Sequence, residues 1–550
     1  VSDRIAGRAF ATRSAVLGTR GMVCASQPLA ARVGADVLAD GGSAVDAAIA
    51  TNAMLGLTEP TGCGLGGDLF AMVWDPALGK LVGLNGSGRS PQGLSLSTLV
   101  ERLRRTGETS IPLRSALSVS VPGCVDGWFV MHERFGRLPM ERLLRPAIEA
   151  ARDGVPITQI IAAAWSGADD RYAHVPSFAG TFLVDGRTPV EGQRFHNPDL
   201  ARSYELLIAS GSRGFYEGPP AAAIVEVLRQ GGGALTAADM AAHKSQWVTP
   251  VSVSYRGHEL WELPPNGQGL AAQQMLKMLE PWALGEGDPL TWHRMIEAKK
   301  VAYEDRARSY CDPEFGAPSL EKMLSSAYAS ERRALIDDNR ASQKLPGGDL
   351  ALERGDTVYL TAADEQGQVV SWIQSNYTGF GSGFVPEGWG FTLQNRGNLF
   401  ALDPAHANAF APGKRPFHTI IPAMLTKAGL PVLSFGVMGG AMQPQGHVQI
   451  VANMLDHGMN VQEAGDAPRW RHEGSSEPTG EVMSDGGVVH LEPSVSSEIA
   501  DGLRERGHQV EVGPGGFGGY QAIAIDDLHG ASRLYRGASE SRKDGQAMGY

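Results

Sequence analysis

The chain has 550 residues, 42% of them hydrophobic and 20% charged, the balance of an ordinary soluble globular protein long enough to bury a large core. A formal net charge of −12 sets it against polyanions and so against general nucleic-acid binding, and no apolar run is long enough to span a bilayer. Its four cysteines, Cys24, Cys63, Cys124 and Cys311, are far apart with no Cys-x-x-Cys, which favours buried thiols in a reducing compartment over a disulfide framework or a zinc site. The segment Val1–Arg20 carries arginines but no apolar h-region. A cytoplasmic enzyme is therefore expected, with a signal removed beforehand left open.

In chain order, Gln27-Pro28 leads into an alanine-rich helix from Leu29 to Ala39, stopped by Gly41-Gly42. Ser43 and Asp46 have the spacing of a capping box for a second helix that reaches about Leu57. Gly62, Gly64 and Gly67 form a formal Gly-x-Gly-x-x-Gly, but a helix precedes it and a strand, Leu69 to Trp74, follows. A dinucleotide fingerprint needs the reverse order, so a turn where two backbones meet is the better reading. Leu81 to Leu84 reads as a strand that ends in a glycine-flanked loop holding Arg89, either a solvated arginine or a carboxylate binder. Helices are expected from about Val121 to Phe135, Met140 to Asp153, Pro198 to Ser210, Pro220 to Arg229, Leu270 to Met278 and Thr291 to Ser309, the last with its many charges on a solvated face. Thr249 to Glu262 is strand-like. A helix near Ser325 to Asp337 precedes Asn339 to Gly348, the best candidate for an exposed linker.

Beyond Asp356 the character changes to strands, glycines and aromatics. Val358 to Ala363, the turn Asp364-Glu365-Gln366-Gly367, and Val369 to Ser375 form a hairpin. Ala423 to Thr426 and Pro431 to Gly436 read as buried strands, Gln443 to Leu455 and Val461 to Ala467 as helices, and Val482 to Leu491 and Gln521 to Asp526 as closing strands. Mixed helix and strand in this order suggest packed sheets covered by helices.

A threonine at the start of a strand is ordinary by itself. Here Asp356-Thr357-x-Tyr359, Asp364-x-x-Gly367, Phe380-Gly381-Ser382-Gly383, Lys414-Arg415-Pro416 and Met438-Gly439-Gly440 follow one another in order, after Gly41 to Ala48, Val121-Pro122-Gly123 and Ala150 to Gly154. Together these resemble the γ-glutamyltransferase family of N-terminal-nucleophile hydrolases, over nearly the whole chain. The resemblance implies an α+β fold, a four-layer αββα sandwich. It also implies self-cleavage between Asp356 and Thr357 into a large subunit, 1–356, and a small subunit, 357–550, which together form one intertwined domain. Thr357 would be the nucleophile, its freed α-amine the base. Gly439 and Gly440 match the pair whose N–H groups hold the oxyanion, and Ser375 stands where the family has a threonine that orients the amine.

The substrate clamp departs from the family pattern. Leu399 stands where glutathione-cleaving relatives have an acid for the glutamyl ammonium. Tyr377, beside Asn376, replaces an asparagine, Arg396 a glutamine, and His418-Thr419 a pair of serines. Ser87 occupies the place of the carboxylate-binding arginine, with Arg89 two residues on, and Ala401 to Gly413 is short for a lid. The pattern is similar to the cephalosporin-acylase-like and oxamate-amidohydrolase-like branch. It implies an open cationic pocket lined by Arg89, Arg396 and His418, for an acyl group that carries a carboxylate but no α-ammonium. A true γ-glutamyltransferase and an unprocessed, inactive binding homologue are the alternatives. A serine hydrolase lacks its Gly-x-Ser-x-Gly elbow. No metal or cofactor is required. The expected partners are a small amide and the two halves of one precursor, with no nucleic acid, no membrane, and pairing of two heterodimers left open.

Overall fold

The computed structural model describes residues 6–316, 319–345, 356–528 and 532–550. Two seven-stranded, antiparallel sheets carry the architecture. One runs, edge to edge, through Gln546–Gly549, Met22–Ala25, Asp356–Ala363, Val369–Tyr377, Asp68–Asp75, Lys80–Gly86 and Gln246–Val248. The other runs through Val16–Gly18, Ser532–Ser539, Tyr520–Leu528, Leu430–Val437, Ala423–Lys427, His258–Glu262 and Val251–Tyr255.

The period of two along the strands explains the layering. Val358, Leu360 and Ala362 point to one side of the first sheet and join a core shared with the helices Pro28–Ala39, Ala44–Thr58 and Cys124–Phe135. Tyr359 and Ala363 point to the other side and meet Met424, Ile523 and Tyr535 of the second sheet. The far face of the second sheet packs on the helices Gly269–Leu279, Pro289–Ser309 and Met442–Leu455. The result is the αββα sandwich, with every strand of the central hairpin buried on both faces. Hydroxyls stitch the two sheets together: Thr361 Oγ1 lies 2.7 Å from Ser434 Oγ, and Ser371 Oγ accepts the Ala423 N–H at 3.0 Å.

Local chemistry sets the ends of the elements. Ser43 Oγ accepts from the Asp46 N–H, and Asp46 Oδ2 accepts from the Ser43 N–H, completing the capping box of a helix buried along its whole length. Thr249 to Glu262 is a hairpin rather than one strand, because Arg256 (φ 49°) and Gly257 (φ 74°) turn the chain back. The closing strand is confined to Val488–Leu491, since Gly486 and Gly487 at φ 81° and 65° interrupt the run before it. The linker Asn339 to Gly348 is less exposed than expected over its described part, which ends at residue 345. Ala341 and Leu345 are buried, and Ser342 is tied by its N–H to Glu297 and by its carbonyl to Lys300. Residues 346–348 lie outside the described residues.

Candidate active site

Thr357 occupies an irregularity in the hairpin. The paired Cα positions step from Asp356–Tyr377 to Val358–Gln374, so the single residue Thr357 faces two, Ser375 and Asn376. Such a bulge unpairs a residue locally and re-aims its side chain. Thr357 is buried, and its Oγ1 donates to Ser375 Oγ at 3.3 Å. Ser375 Oγ in turn accepts the Tyr377 N–H at 2.8 Å. Gly62 backs this point: a Cβ there would sit 3.4 Å from the Thr357 carbonyl carbon, and the Gly62 carbonyl accepts the Asn376 N–H at 3.0 Å. The glycine run Gly62–Gly67 is thus a close approach of backbones beside the hairpin, with Gln374 bonded to both the N–H and the carbonyl of Gly64 at 2.9 Å.

Gly439 and Gly440 lie between the strand Leu430–Val437 and the helix Met442–Leu455, at φ 111° and 59°, backbone that side-chain-bearing residues rarely adopt. Their carbonyls are pinned. Gly439 O accepts from Met442 N, and Gly440 O accepts from Gln443 N and from Gln268 Nε2. Ala441 O accepts from Gln445 Nε2 and Tyr303 Oη. With the carbonyls turned away, no acceptor among the described residues takes the N–H groups of Gly439 and Gly440. Preorganised N–H donors ahead of a helix N-terminus are suited to a developing oxyanion.

These glycines line a cavity of about 680 Å³, a size ordinary for a small-molecule site. Tyr377 and Thr419 form one part of its wall, and Lys299, His472 and Glu473 another. Among the lining residues, Tyr377 is the cross-strand partner of Asp356, one residue before Thr357.

The expected clamp is arranged differently from the expectation of three cations at the wall. Arg396 is fully buried one layer back: it donates to Thr419 Oγ1 at 2.6 Å and lies 4.8 Å from the Tyr377 ring centre. Its Nε and one terminal nitrogen have no hydrogen-bond partner, and burial pulls its pKa down to about 10. His418 is also enclosed rather than cavity-lining. Its Nε2–H donates to Asp68 Oδ2 at 2.9 Å, while Nδ1 is unpartnered. Burial, then the nearby Arg396, lower its pKa to about 4, so it is neutral at pH 7. Arg89 turns toward Glu314 at 2.6 Å and Asp312 at 3.5 Å, away from the cavity. Asn376 spends both Nδ2 protons on Cys63 O and Thr392 Oγ1, and its Oδ1 is left unpartnered. Tyr377 holds a positive φ of 79° and a buried hydroxyl with no partner. Leu399 is buried in the core.

The helix Pro289–Ser309 overturns the expectation of a solvated charged face. His293, Glu297, Lys299, Lys300, Glu304, Asp305 and Arg306 are all buried. Several of these charges find a partner from a distant part of the chain or one turn away: Lys300 with Glu297 at 2.9 Å, Asp305 with Arg332 at 3.1 Å, and Arg306 with Glu477 and, at 2.8 Å, Gln268. Lys299, Tyr303 and Arg306 are spaced i, i+4, i+7 and share one stripe of the helix, of which Lys299 lines the cavity. The 4- and 3-residue spacing was visible beforehand. What was not visible is that Glu477, Gln268 and His472 would meet it.

Residues 30–550 of the chain match the model of the gamma-glutamyltranspeptidase family. The chain belongs to that family. A glutathione hydrolase-like proenzyme of Bacillus subtilis is 34% identical over 97% of this chain and 99% of its own length. The oxamate amidohydrolase proenzyme of Klebsiella pneumoniae is 34% identical over 98% of this chain and all of its own. Among solved structures, the cephalosporin acylase of Bacillus halodurans superposes with a TM-score of 0.90, at 40% identity, covering 100% of this chain and 99% of that one. These relatives bear out the branch read from the motifs, the fold of N-terminal-nucleophile hydrolases, and an enzyme of the hydrolase kind. Among the described residues no helix is long and apolar enough to cross a membrane.

Proposed function

We propose that this γ-glutamyltranspeptidase-family chain is a self-cleaving amidohydrolase with Thr357 as nucleophile, acting on a small amide whose acyl group ends in a carboxylate. One observation carries the reading: Thr357 sits at a bulge, hydrogen-bonded to Ser375, and Tyr377, the cross-strand partner of its neighbour Asp356, lines the same cavity as Gly439 and Gly440, whose N–H groups have no acceptor among the described residues. In the maturation step Thr357 Oγ1 attacks the carbonyl carbon of Asp356. The peptide C–N bond breaks as an ester forms, and water hydrolyses the ester, leaving a carboxyl group on residue 356 and a free α-amine on Thr357. The large subunit then comprises 1–356 and the small subunit 357–550.

In turnover the α-amine, with an ordinary pKa near 8, accepts the Oγ1 proton as the oxygen attacks the substrate carbonyl. Gly439 and Gly440 hold the oxyanion. The ammonium returns its proton to the leaving amine, an acyl ester remains on Thr357, and water activated by the same amine releases the acid. Ser375 keeps the nucleophile oriented. Arg396 anchors the acyl carboxylate through Thr419 and a shifted Tyr377. A buried guanidinium with unmatched donors is costly, and a carboxylate is the group that pairs with it bidentately. Leu399 in place of an acid leaves nothing there to pair with an α-ammonium, which favours oxamate-like or glutaryl-like acyl groups over γ-glutamyl.

The test is direct. The purified protein resolves into two bands whose smaller member begins at Thr357 by Edman sequencing, and Thr357→Ala gives one full-length band with no amide hydrolysis. A different first residue, or turnover by the alanine variant at the parental rate, overturns the reading.

A further inference from the structure

The cavity has a second end that seeks an anion. Lys299 lines it and is about 1% exposed. Its ammonium group bonds only neutral acceptors, His472 Nδ1 at 3.0 Å and Ser475 Oγ at 2.8 Å, and lies 3.9 Å from the Tyr303 ring centre. His472 Nε2–H is spent on the Gly486 carbonyl at 2.8 Å, which leaves Nδ1 as an acceptor. Among the described residues no carboxylate lies within ion-pair distance of Lys299: Glu477 is taken by Arg306, and Glu473 by Arg471.

The helix measures the distance between the two ends. Arg306, two turns beyond Lys299, reaches Gln268, which bonds the carbonyls of Thr419 and Gly440. This is the Thr419–Arg396 end. Seven residues at 1.5 Å each separate the two ends by about 10 Å along the axis. Tyr303, between them, holds the carbonyl of Ala441 next to the glycine pair. The reacting carbonyl would therefore sit between an anion site on the acyl side and Lys299 on the other.

We propose that Lys299 anchors a carboxylate on the amine half of the substrate, so that the enzyme takes amides charged at both ends, of the N-acyl amino acid class. This rests on the amidohydrolase reading above and adds the leaving-group half. Burial lowers the Lys299 pKa below the ordinary lysine value, with Arg306 and Lys300 adding to the effect and Glu477 and Glu473 opposing it. A bound carboxylate supplies the counter-charge that the neutral acceptors His472 and Ser475 do not, and the pair forms out of water, where it is strong.

The test uses the processed enzyme and two substrates with the same glutaryl acyl group, one releasing 4-nitroaniline and the other 5-amino-2-nitrobenzoate. The parent favours the carboxylated anilide in kcat/KM, and Lys299→Met raises KM for that substrate at least tenfold while changing kcat/KM for the plain anilide less than threefold. The free amines provide a second measurement on the unmutated enzyme: 5-amino-2-nitrobenzoate inhibits competitively at a concentration at least tenfold lower than 4-nitroaniline. Equal loss on both anilides, or equal inhibition by both amines, overturns the anchor alone. Failure of the processed parent to hydrolyse either anilide overturns the amidohydrolase reading and the anchor with it.

Discussion

The two walls of the cavity are made of different materials. On the side of the proposed nucleophile, Thr357, Ser375, Gly62 and the Gly439–Gly440 pair offer hydroxyls and backbone, positioned by a bulge and by positive φ values. On the side of the Pro289–Ser309 helix stand buried ionisable groups, Arg306 paired over a long range with Glu477, and Lys299 bonded only to His472 and Ser475. Neutral backbone donors keep their strength and direction without needing a counter-charge. Buried charges are stable only as a closed set, so one substitution there exposes the cost of desolvation.

Three substitutions put that contrast to the test. The largest effect is expected from Gly439→Ala. A side chain at φ 111° is strained, and its Cβ would meet Gly518 Cα at 3.2 Å, so the peptide turns and one of the two N–H groups proposed to hold the oxyanion is re-aimed. The rate constant kcat should fall about 100-fold or more, with a fall in Tm smaller than that of the charge substitution described next. Arg306→Met should show the converse, leaving Glu477 charged and buried without its partner. The expected loss is about 3–5 kcal/mol of stability, read as a fall in Tm, and a second change, Glu477→Gln, should recover part of it. A stability loss as large in Gly439→Ala as in Arg306→Met would erase the distinction between the walls.

The smallest effect is a tilt with pH. His418 is held at about 4, below its ordinary 6.5, so its stability contribution is complete above pH 6.5 and is lost as pH falls toward 4. Glu304, on the helix side, is raised by burial to about 7 from 4.5, so it favours the folded state below pH 4.5 and that contribution disappears as pH rises through 7. His418→Asn should flatten the acid side of a Tm–pH curve, and Glu304→Gln the side between 4.5 and 7. Parallel curves for both variants and the parent would show that neither group is linked to folding.

The same contrast explains what could be read from the chain beforehand. Motifs such as Asp356-Thr357 and Met438-Gly439-Gly440 encode local backbone, and local backbone survives translation into three dimensions, as do the Ser43–Asp46 cap and the 357–375 hairpin. The charges of residues 291–309 have helical spacing whether they face water or a partner, and spacing alone cannot tell the two apart. Arg89 and His418 were placed by their nearness in sequence to family positions. Their partners, Glu314 and Asp68, lie 225 and 350 residues away. Tyr377 and Thr419 could be read as near the pocket because each adjoins a motif that builds it.

The order of strands in the two sheets has a consequence for the proposed cut. Segments from before and after Thr357 alternate within the first sheet, where Met22–Ala25 is clasped between Gln546–Gly549 and Asp356–Ala363. The second sheet closes on Val16–Gly18 at one edge and Val251–Tyr255 at the other, with later strands between. Scission there would free a chain end without freeing a body: neither product could leave unless both sheets came apart. The mature enzyme would then hold its shape by the height of a barrier it no longer needs to recross, and fragments made separately would not find their way back to it.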